Sequence, residues 1–293
     1  MRIERTVERG GEADIDRARR QLLAGVPVSE RRLELAGVST AVLEGGDGPP
    51  VVLLHGQGGW AGVWLPAIAG LAGSHRVVAP DLPGLGASRA TEGPPGAETA
   101  LAWLGELIDQ TCATPPVLAG VSLGGSIAAR FAAAHPDRLA GLVLISMGGL
   151  VGKVRLRPRM LLALVRHNLR PSERTALAML RQVSVDVERA RDRMGRAGSR
   201  SAPTRWCCRA RAANRRLLRE LGLPRIPPAE LARIAVPTTL IWGRQDRVMP
   251  LATAEEASAR YGWPLRVVED AGHFLSMDQP EAFLAALRAA LDP

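Results

Sequence analysis

Residues 116–124 of the chain read Pro116-Val117-Leu118-Ala119-Gly120-Val121-Ser122-Leu123-Gly124. An apolar run thus leads into a serine that has a glycine two residues before it and another two residues after it. The residues that follow, 125–132, are alanine-rich and have helical character. A Gly-x-Ser-x-Gly between a strand and a helix is typical of a sharp turn that exposes a serine hydroxyl, and glycines leave the space that such a backbone needs. The pattern predicts Ser122 as a nucleophile, with the backbone N–H of Leu123 directed at a developing oxyanion.

Apolar runs of strand length recur on both sides of this turn. They cover residues 51–54, 76–79, 116–119, 142–145, 238–242 and 265–268, and helical patterns lie around residues 62–72, 97–111, 125–135, 251–260 and 280–291. Continuously apolar runs are typical of strands buried on both faces of a parallel sheet, and their alternation with helices predicts a wound α/β fold. Residues 32–35 and 39–44 alternate polar and apolar, which predicts an antiparallel pair joined at Gly37.

The alternation stops between residues 149 and 233. This segment is rich in arginine and helical in pattern, and we expect it to form a lid over the carboxyl ends of the strands, where open α/β sheets bind ligands. The expected organisation is an N-terminal extension at residues 1–28, a core at 29–148 and 234–293, and an Arg-rich helical lid at 149–233. Within the extension, residues 12–23 have the spacing of a short amphipathic helix.

The net charge of +9 comes from the same segment, since residues 150–233 hold 21 Lys and Arg against six Asp and Glu. Its only aromatic residue is Trp206, so it lacks stacking platforms for bases, and we expect no nucleic-acid partner. A solvated arginine-rich surface is the simplest interpretation, and weak contact of the basic lid with an anionic surface stays open.

The remaining composition indicates a cytoplasmic protein. No apolar run approaches the length of a membrane span, and the charged first eight residues do not resemble a secretory signal. Cys112 stands alone, and the adjacent Cys207 and Cys208 have no metal-ligand or redox spacing. We expect no metal and no cofactor, and the oligomeric state stays open.

Polar residues follow other apolar runs at their carboxyl ends. After residues 51–54 comes His55-Gly56-Gln57-Gly58, whose backbone offers a second oxyanion N–H from Gln57, with Gly58 as the alternative. Asp246 follows residues 238–242, and His273 follows residues 265–268. Because the carboxyl ends of parallel strands meet at one edge of a sheet, the pattern brings a serine, an acid and a histidine to the same edge.

With these motifs in this order, the chain resembles the α/β-hydrolase family from about residue 32 to the end, apart from the variable lid. Gly120–Gly124 matches the family's nucleophile elbow, residues 55–58 its oxyanion loop, and residues 81–88 the segment after its fourth strand. Asp246 matches the acid in a Gly-x-x-Asp turn, and His273 matches the histidine of a Gly-His loop. The resemblance implies a mostly parallel eight-stranded sheet flanked by helices, with an inserted helical lid.

The same residues suggest how a serine hydrolase would use them. A serine hydroxyl needs an imidazole to accept its proton, and a buried carboxylate orients that imidazole. We therefore expect Ser122 to be the nucleophile, His273 the general base and then acid, and Asp246 the orienting group. Asp270 is the nearest rival for the acid.

Other residues of these loops have simpler expected roles. His55 is expected to support the backbone, and Asp81 to brace its loop. Four residues of these loops are expected to line the pocket: His55, Gly56, Val248 and Phe274.

The expected activity is hydrolysis of a small-molecule carboxylic ester or thioester through an acyl-enzyme. The first alternative is a carbon–carbon bond hydrolase resembling the meta-cleavage product enzymes, for whose anionic substrates Arg155, Arg157, Arg159 or Arg166 would supply a clamp. Those relatives usually carry tryptophan after the histidine, where this chain has Phe274. A perhydrolase, a lactonase and a catalytically silent binding protein also stay open. Serine at the elbow argues against resemblance to the haloalkane dehalogenases and epoxide hydrolases, which use aspartate there.

Overall fold

The computed structural model describes residues 17, 19–150, 158–170, 172–196 and 210–292 of the 293-residue chain. Within these ranges nine strands form one sheet. They are β1 (Ser29–Leu35), β2 (Val38–Gly45), β3 (Pro50–Leu54), β4 (Arg76–Pro80), β5 (Arg89–Ala90), β6 (Val117–Val121), β7 (Gly141–Ile145), β8 (Thr238–Gly243) and β9 (Leu265–Val268).

Helices connect and cover these strands. They are α1 (residues 19–23), α2 (Leu65–Leu71), α3 (Ala97–Thr111), α4 (Leu123–Ala134), α5 (Pro158–Leu169), α6 (Glu173–Val183), α7 (Val187–Arg196), α8 (Arg211–Leu217), α9 (Pro228–Leu231), α10 (Leu251–Tyr261), α11 (Leu275–Asp278) and α12 (Pro280–Leu291). Short 3₁₀ turns at Ala61–Trp64 and Pro136–Arg138 and a π-helical turn at Leu218–Gly222 complete the set.

The strands run in the order β1-β2-β4-β3-β6-β7-β8-β9, and β5 pairs with the side of β2 at Val38 and Ser39. All neighbours from β4 to β9 along this order are parallel, whereas β2 is antiparallel to β1, β4 and β5. The expected mostly parallel α/β-hydrolase sheet is therefore present, and so is the predicted antiparallel pair around Gly37. The ninth strand, β5, was not expected because two residues are too short to show a periodic pattern.

The core lies on both faces of the central strands. Every residue of β3 and of β7 is buried. Because successive strand side chains point to opposite faces, Val52 and Leu54 pack with one apolar cluster, and Val51 and Leu53 with the other. Burial on both faces explains why these strands are apolar throughout and why their sequence pattern was easy to read.

The N-terminal segment contributes one buried cation to this core. Residues 1–16 and 18 of the predicted extension lie outside the described residues, but residues 19–23 are helical, as expected. The Arg19 side chain is 4% exposed, and its Nη1 lies 2.8 Å from Oδ2 of the fully buried Asp81. The guanidinium also contacts Glu30 and lies over the ring of Trp60, with its Cζ 4.5 Å from the ring centroid. Part of the N-terminal segment is thus bonded to the loop that follows β4.

The helices α5 to α9 lie between β7 and β8, and we call them the inserted helices. Arg155, Arg157, Cys207 and Cys208 fall outside the described residues. A small apolar cluster of Leu180, Val183 and Ala190 joins these helices to one another and packs against Val248 and Met277 of the core. Of the inserted helices, α5, α6 and α7 are therefore packed onto residues that follow β8 and β9.

None of the helices in the described part of the chain combines the length and apolar character needed to span a bilayer.

Candidate active site

Ser122 lies at the turn between β6 and α4, in a conformation that non-glycine residues rarely adopt. Its φ is 53° and its ψ is −115°. The turn is so tight that a Cβ at Gly120 would lie 2.4 Å from the carbonyl oxygen of Gly124, and a Cβ at Gly124 would lie 2.4 Å from that of Leu54. The two glycines of the motif are therefore required by close backbone contacts, and the strained turn projects the half-buried serine from the sheet edge.

The loop after β3 runs directly against this turn. A Cβ at Gly56 would lie 3.2 Å from the Cβ of Ser122, so a larger residue would push the loop away. Leu123 is the first residue of α4, where N–H groups lack partners within the helix. Among the described residues, no group accepts a hydrogen bond from the N–H of Leu123 or of Gln57. These two amides next to Ser122 have the donor character that an oxyanion requires.

Gly58, the alternative donor, is already engaged. Its N–H donates to the side-chain oxygen of Asn214 in α8 at 3.0 Å. The geometry therefore favours Gln57 over Gly58 as the second donor, and it gives Asn214 the task of holding the loop.

His273 and Asp246 form a hydrogen-bonded pair. Nδ1 of His273 donates to Oδ2 of Asp246 at 2.9 Å, and both side chains are buried. Oδ1 of Asp246 accepts the N–H groups of Val248 and Met249, each at 2.8 Å. These bonds satisfy the carboxylate and place the imidazole proton on Nδ1, which leaves Nε2 as the basic nitrogen.

Sheet topology brings the serine and this pair to one edge. Ser122 directly follows β6, Asp246 lies three residues beyond β8, and His273 lies five residues beyond β9. The strands β6, β7, β8 and β9 are consecutive and parallel, so all three residues emerge from the same side of the sheet. The N–H of Ser122 also donates to the carbonyl of Ile145, which ties the elbow to the end of β7.

Asp270 and Asp81 lie elsewhere. Asp270 is exposed in the turn after β9 and has a φ of 51°, and it is Asp246 that contacts His273. Asp81 is fully buried and accepts hydrogen bonds from the N–H groups of Ala61 and Ala87, in addition to its ion pair with Arg19. Asp81 therefore braces its loop, as expected.

His55 is enclosed in the core and uses both ring nitrogens. Nε2 accepts the N–H of Leu82 at 2.9 Å, so Nδ1 carries the proton and donates to the carbonyl of Gly56 at 2.8 Å. Burial lowers the pKa of His55, an effect partly offset by Asp81. His55 supports the loop from inside and has no exposed surface, which corrects the expectation that it lines the pocket.

The other pocket candidates differ in their surroundings. Phe274 is 39% exposed and its ring lies beside that of His273, with centroids 6.2 Å apart. Val248 is half-buried and packs against both the core and the inserted helices. Arg159 and Arg166, the described members of the suggested clamp, are both exposed on α5. In the described ranges, no group of three or more His, Cys, Asp or Glu residues is placed to hold a metal ion.

Sequence reasoning missed a set of bonds between the inserted helices and the His273 loop. The carbonyl of Val183, at the end of α6, accepts the N–H of His273 at 2.8 Å and that of Phe274 at 3.2 Å. The buried carboxylate of Asp278 accepts the N–H groups of Gly272 and Val185 and the hydroxyl of Ser184. The end of α6 therefore holds the backbone at His273 and Phe274, and Asp278 joins Gly272 to the residues that follow α6.

The sequence carries only faint signals for these residues. Asp278 is an acid five residues after His273, ahead of the Gln-Pro that opens α12, and Asn214 is the one amide in an arginine-rich helix. Neither feature distinguishes a supporting residue from a surface one. The partners lie 94 and 156 residues away in the chain, so only the fold reveals them.

Known proteins share this architecture. A family model described as "Alpha/beta hydrolase family" matches residues 51–286. The chain is 27% identical over 267 residues to 2-hydroxy-6-oxo-6-(2'-aminophenyl)hexa-2,4-dienoic acid hydrolase of Metapseudomonas resinovorans, covering 88% of this chain and 89% of that protein. It is 30% identical over 262 residues to pimeloyl-(acyl-carrier protein) methyl ester esterase of Aeromonas hydrophila, covering 84% of this chain and 97% of that protein. The crystal structure of a membrane phospholipase A, described as a bacterial virulence factor, superimposes with a TM-score of 0.80 and 27% identity, covering 99% of this chain and 96% of that one.

Proposed function

Because this chain belongs to the alpha/beta hydrolase family, we propose that it is a hydrolase of carboxylic esters or thioesters that works through an acyl-enzyme on Ser122. The observation that carries the proposal is the 2.9 Å bond between His273 Nδ1 and Asp246 Oδ2, at the sheet edge from which Ser122 projects. A neutral imidazole with its proton held on Nδ1 has its other nitrogen available as a base.

In the first half of the reaction, the Ser122 hydroxyl attacks the substrate carbonyl while Nε2 of His273 takes the hydroxyl proton. Negative charge then develops on the carbonyl oxygen, and the N–H groups of Leu123 and Gln57 stabilise it. The intermediate collapses by breaking the bond to the leaving alcohol or thiol, which takes the proton from Nε2. The product of this half is an ester between Ser122 and the acyl group.

The second half repeats these steps with water. His273 Nε2 removes a proton from water as the water attacks the acyl-enzyme, and the same two amides stabilise the oxyanion. Collapse releases the carboxylic acid and returns the proton to Ser122. Asp246 stays ionised throughout and stabilises the imidazolium formed in each half.

Ester cleavage is favoured over carbon–carbon cleavage by two observations. The Aeromonas relative that is 30% identical is a methyl ester esterase. In addition, Arg159 and Arg166, the two members of the suggested clamp that the structure describes, are exposed and give no support for a clamp that would hold an anionic dienone. The Metapseudomonas relative, a dienoic acid hydrolase, keeps carbon–carbon cleavage as the second candidate.

We further propose that residues 149–233 act as the lid expected from the sequence. The described helices of this segment pack on Val248 and Met277 and bond to the loops that carry His273 and Gly58. A lid bonded in this way would control both access to Ser122 and the alignment of the groups around it.

The test combines covalent labelling with a substrate panel. A fluorophosphonate should modify wild type stoichiometrically at Ser122, as located by peptide mass spectrometry, and should not modify Ser122→Ala. Nitrophenyl esters of short, medium and long acyl chains should be hydrolysed faster than a meta-cleavage dienone acid. An adduct on another residue would refute the nucleophile, and faster turnover of the dienone acid would select the second candidate.

A further inference from the structure

One helix of the inserted segment carries an exposed apolar surface. In α5 the side chains of Leu161, Leu162, Val165 and Leu169 are 51%, 48%, 44% and 74% exposed. At about 100° per residue, these four positions fall within an arc of about 100° on the helix surface. Four large apolar side chains grouped on one face of a twelve-residue helix form a contiguous patch, which in a monomeric protein usually marks an interaction site.

The opposite side of α5 is already packed. Ala163 is buried, and Met160 packs against the cluster of Leu180, Val183 and Ala190. The exposed arc is therefore not the face that attaches α5 to the rest of the protein. We call Leu161, Leu162, Val165 and Leu169 the outer face of α5.

Positive charge borders this outer face. Arg159 and Arg166 lie within about 60° of its edge on the same helix, and Arg170 follows at the end of α5. All three arginines are exposed, and residues 158–170 contain no acidic residue. An apolar arc bordered along one side by arginines is the composition of a helix that lies in the interface of an anionic bilayer.

We propose that the outer face of α5 docks on the surface of an anionic lipid bilayer. Leucine and valine side chains enter the headgroup–acyl boundary, while Arg159, Arg166 and Arg170 pair with lipid phosphates. A second copy of this chain is a poorer occupant, because it would bring the same arginines together on a protein whose net charge is already +9. Docking involves neither Ser122 nor His273, so the proposal does not depend on the proposed reaction.

Docking would also bring the candidate site close to the membrane. Met160 on the inner side of α5 packs against the cluster that contains Val183, and the carbonyl of Val183 accepts the N–H of His273. A single apolar cluster therefore links the docked helix to the segment that holds His273.

The experiment is sedimentation of the full chain with vesicles of phosphatidylcholine alone or mixed with phosphatidylglycerol. Wild type should bind the mixed vesicles, and added salt should weaken the binding because it screens the arginines. The triple variants Leu161→Ser/Val165→Ser/Leu169→Ser and Arg159→Gln/Arg166→Gln/Arg170→Gln should each bind at least about tenfold more weakly. Circular dichroism should show unchanged folding, since all six positions are exposed.

Matched controls remove the same groups elsewhere. Arg225→Gln/Arg233→Gln/Arg260→Gln deletes three exposed arginines outside α5, and Leu223→Ser deletes a leucine that is 41% exposed. Both should bind like wild type. Failure of wild type to bind mixed vesicles, or equal losses in the α5 variants and the controls, would overturn the proposal. A wild-type dimer in sedimentation velocity that the serine variant abolishes, without vesicle binding, would assign the face to a second copy instead.

Discussion

The carbonyl of Val183 accepts the N–H of His273 at 2.8 Å, although the two residues belong to different parts of the fold. Val183 ends α6 in the inserted helices, and His273 lies in the loop after β9. The imidazole is therefore held by two supports, the Asp246 carboxylate on its ring and the α6 carbonyl on its backbone. Single substitutions can separate these two supports from those of the neighbouring loops.

Replacing Asp246 with Asn should abolish most of the activity. An amide in place of the carboxylate no longer fixes the Nδ1 proton or stabilises the imidazolium, and a comparable change costs about ten-thousandfold in kcat. The matched control is Asp270→Asn, which alters an exposed side chain in the neighbouring turn. Steady-state kinetics on a nitrophenyl ester measures both. A larger loss in Asp270→Asn would show that the acid is misassigned.

Asp278→Asn should lower kcat without preventing substrate binding. Its carboxylate accepts hydrogen bonds from the N–H groups of Gly272 and Val185 and from the hydroxyl of Ser184. In the asparagine variant, the NH₂ group would face one of these donors and could not accept its hydrogen bond. We expect about a tenfold loss in kcat and about 1–3 kcal/mol in the free energy of unfolding, since a buried bond is left unmade.

Two measurements distinguish a positioning role for Asp278 from simple destabilisation. One is kcat at a temperature where the variant and wild type are both folded, and the other is kcat of Ser184→Ala. Ser184→Ala removes only the hydroxyl that donates to Asp278, so its kcat should fall by less than that of Asp278→Asn. If the kcat of Asp278→Asn equals that of wild type at a temperature where both are folded, Asp278 has no role in aligning His273.

Asn214→Ala should loosen the loop that carries Gln57 and Gly58, the proposed source of the second oxyanion donor. The Gly58 N–H loses its acceptor, so the adjoining Gln57 N–H is held less firmly next to Ser122. We expect about a tenfold lower kcat with KM nearly unchanged, because the loss concerns the charge that develops in the transition state. Arg215→Ala, an exposed change on the same helix, is the control and should behave like wild type. A KM effect without a kcat effect would contradict this role.

Arg19→Met should destabilise the protein strongly. The change removes the cation from the buried Asp81 carboxylate, and breaking a buried ion pair on one side costs about 3–5 kcal/mol. Urea unfolding should show this loss, whereas Arg20→Met, an exposed change on the next residue, should stay within about 0.5 kcal/mol of wild type. Equal stability of the two variants would mean that Asp81 is satisfied by Ala61 and Ala87 alone.

Stability should fall as the pH drops below the ordinary histidine pKa of 6.5, in part because of His55. Its pKa in the folded protein is lowered, mainly by burial, so in this window the unfolded chain binds a proton that the native chain does not. The free energy of unfolding then decreases by up to about 1.4 kcal/mol per pH unit.

His55→Gln removes this titration, so the difference between its unfolding curves and those of wild type isolates the His55 contribution. The variant should show a shallower loss of stability below pH 6.5. Parallel curves for the two proteins would show that His55 takes up its proton equally in both states.

The parts of the fold that are predictable from sequence are those with a local pattern. The strands β3, β6 and β7 are buried on both faces, so they appear as uninterrupted apolar runs, and α3 begins and ends at the predicted residues. The sequence singles out Ser122, Asp246 and His273 as candidates because each follows such a run, within or next to a motif.

The supporting residues could not be found in this way. Arg19 and Asp81 are 62 residues apart, and their ion pair depends on α1 crossing a loop to which no pattern connects it. Arginine is abundant in this chain, so a buried arginine looks like a solvated one in the sequence. The same holds for Asn214, whose role depends on where α8 meets the Gly58 loop.

The two outer strands of the sheet have a consequence for behaviour at high concentration. Among the described strands β1 and β9 form the edges, and their unpaired backbone groups are a template for further strands. In β1 the residues Glu30, Arg31 and Arg32 are exposed, and β9 is only four residues long with Arg266 exposed. Charged or short edges discourage strand addition, so we expect the described edges of this sheet to resist edge-to-edge pairing at high concentration.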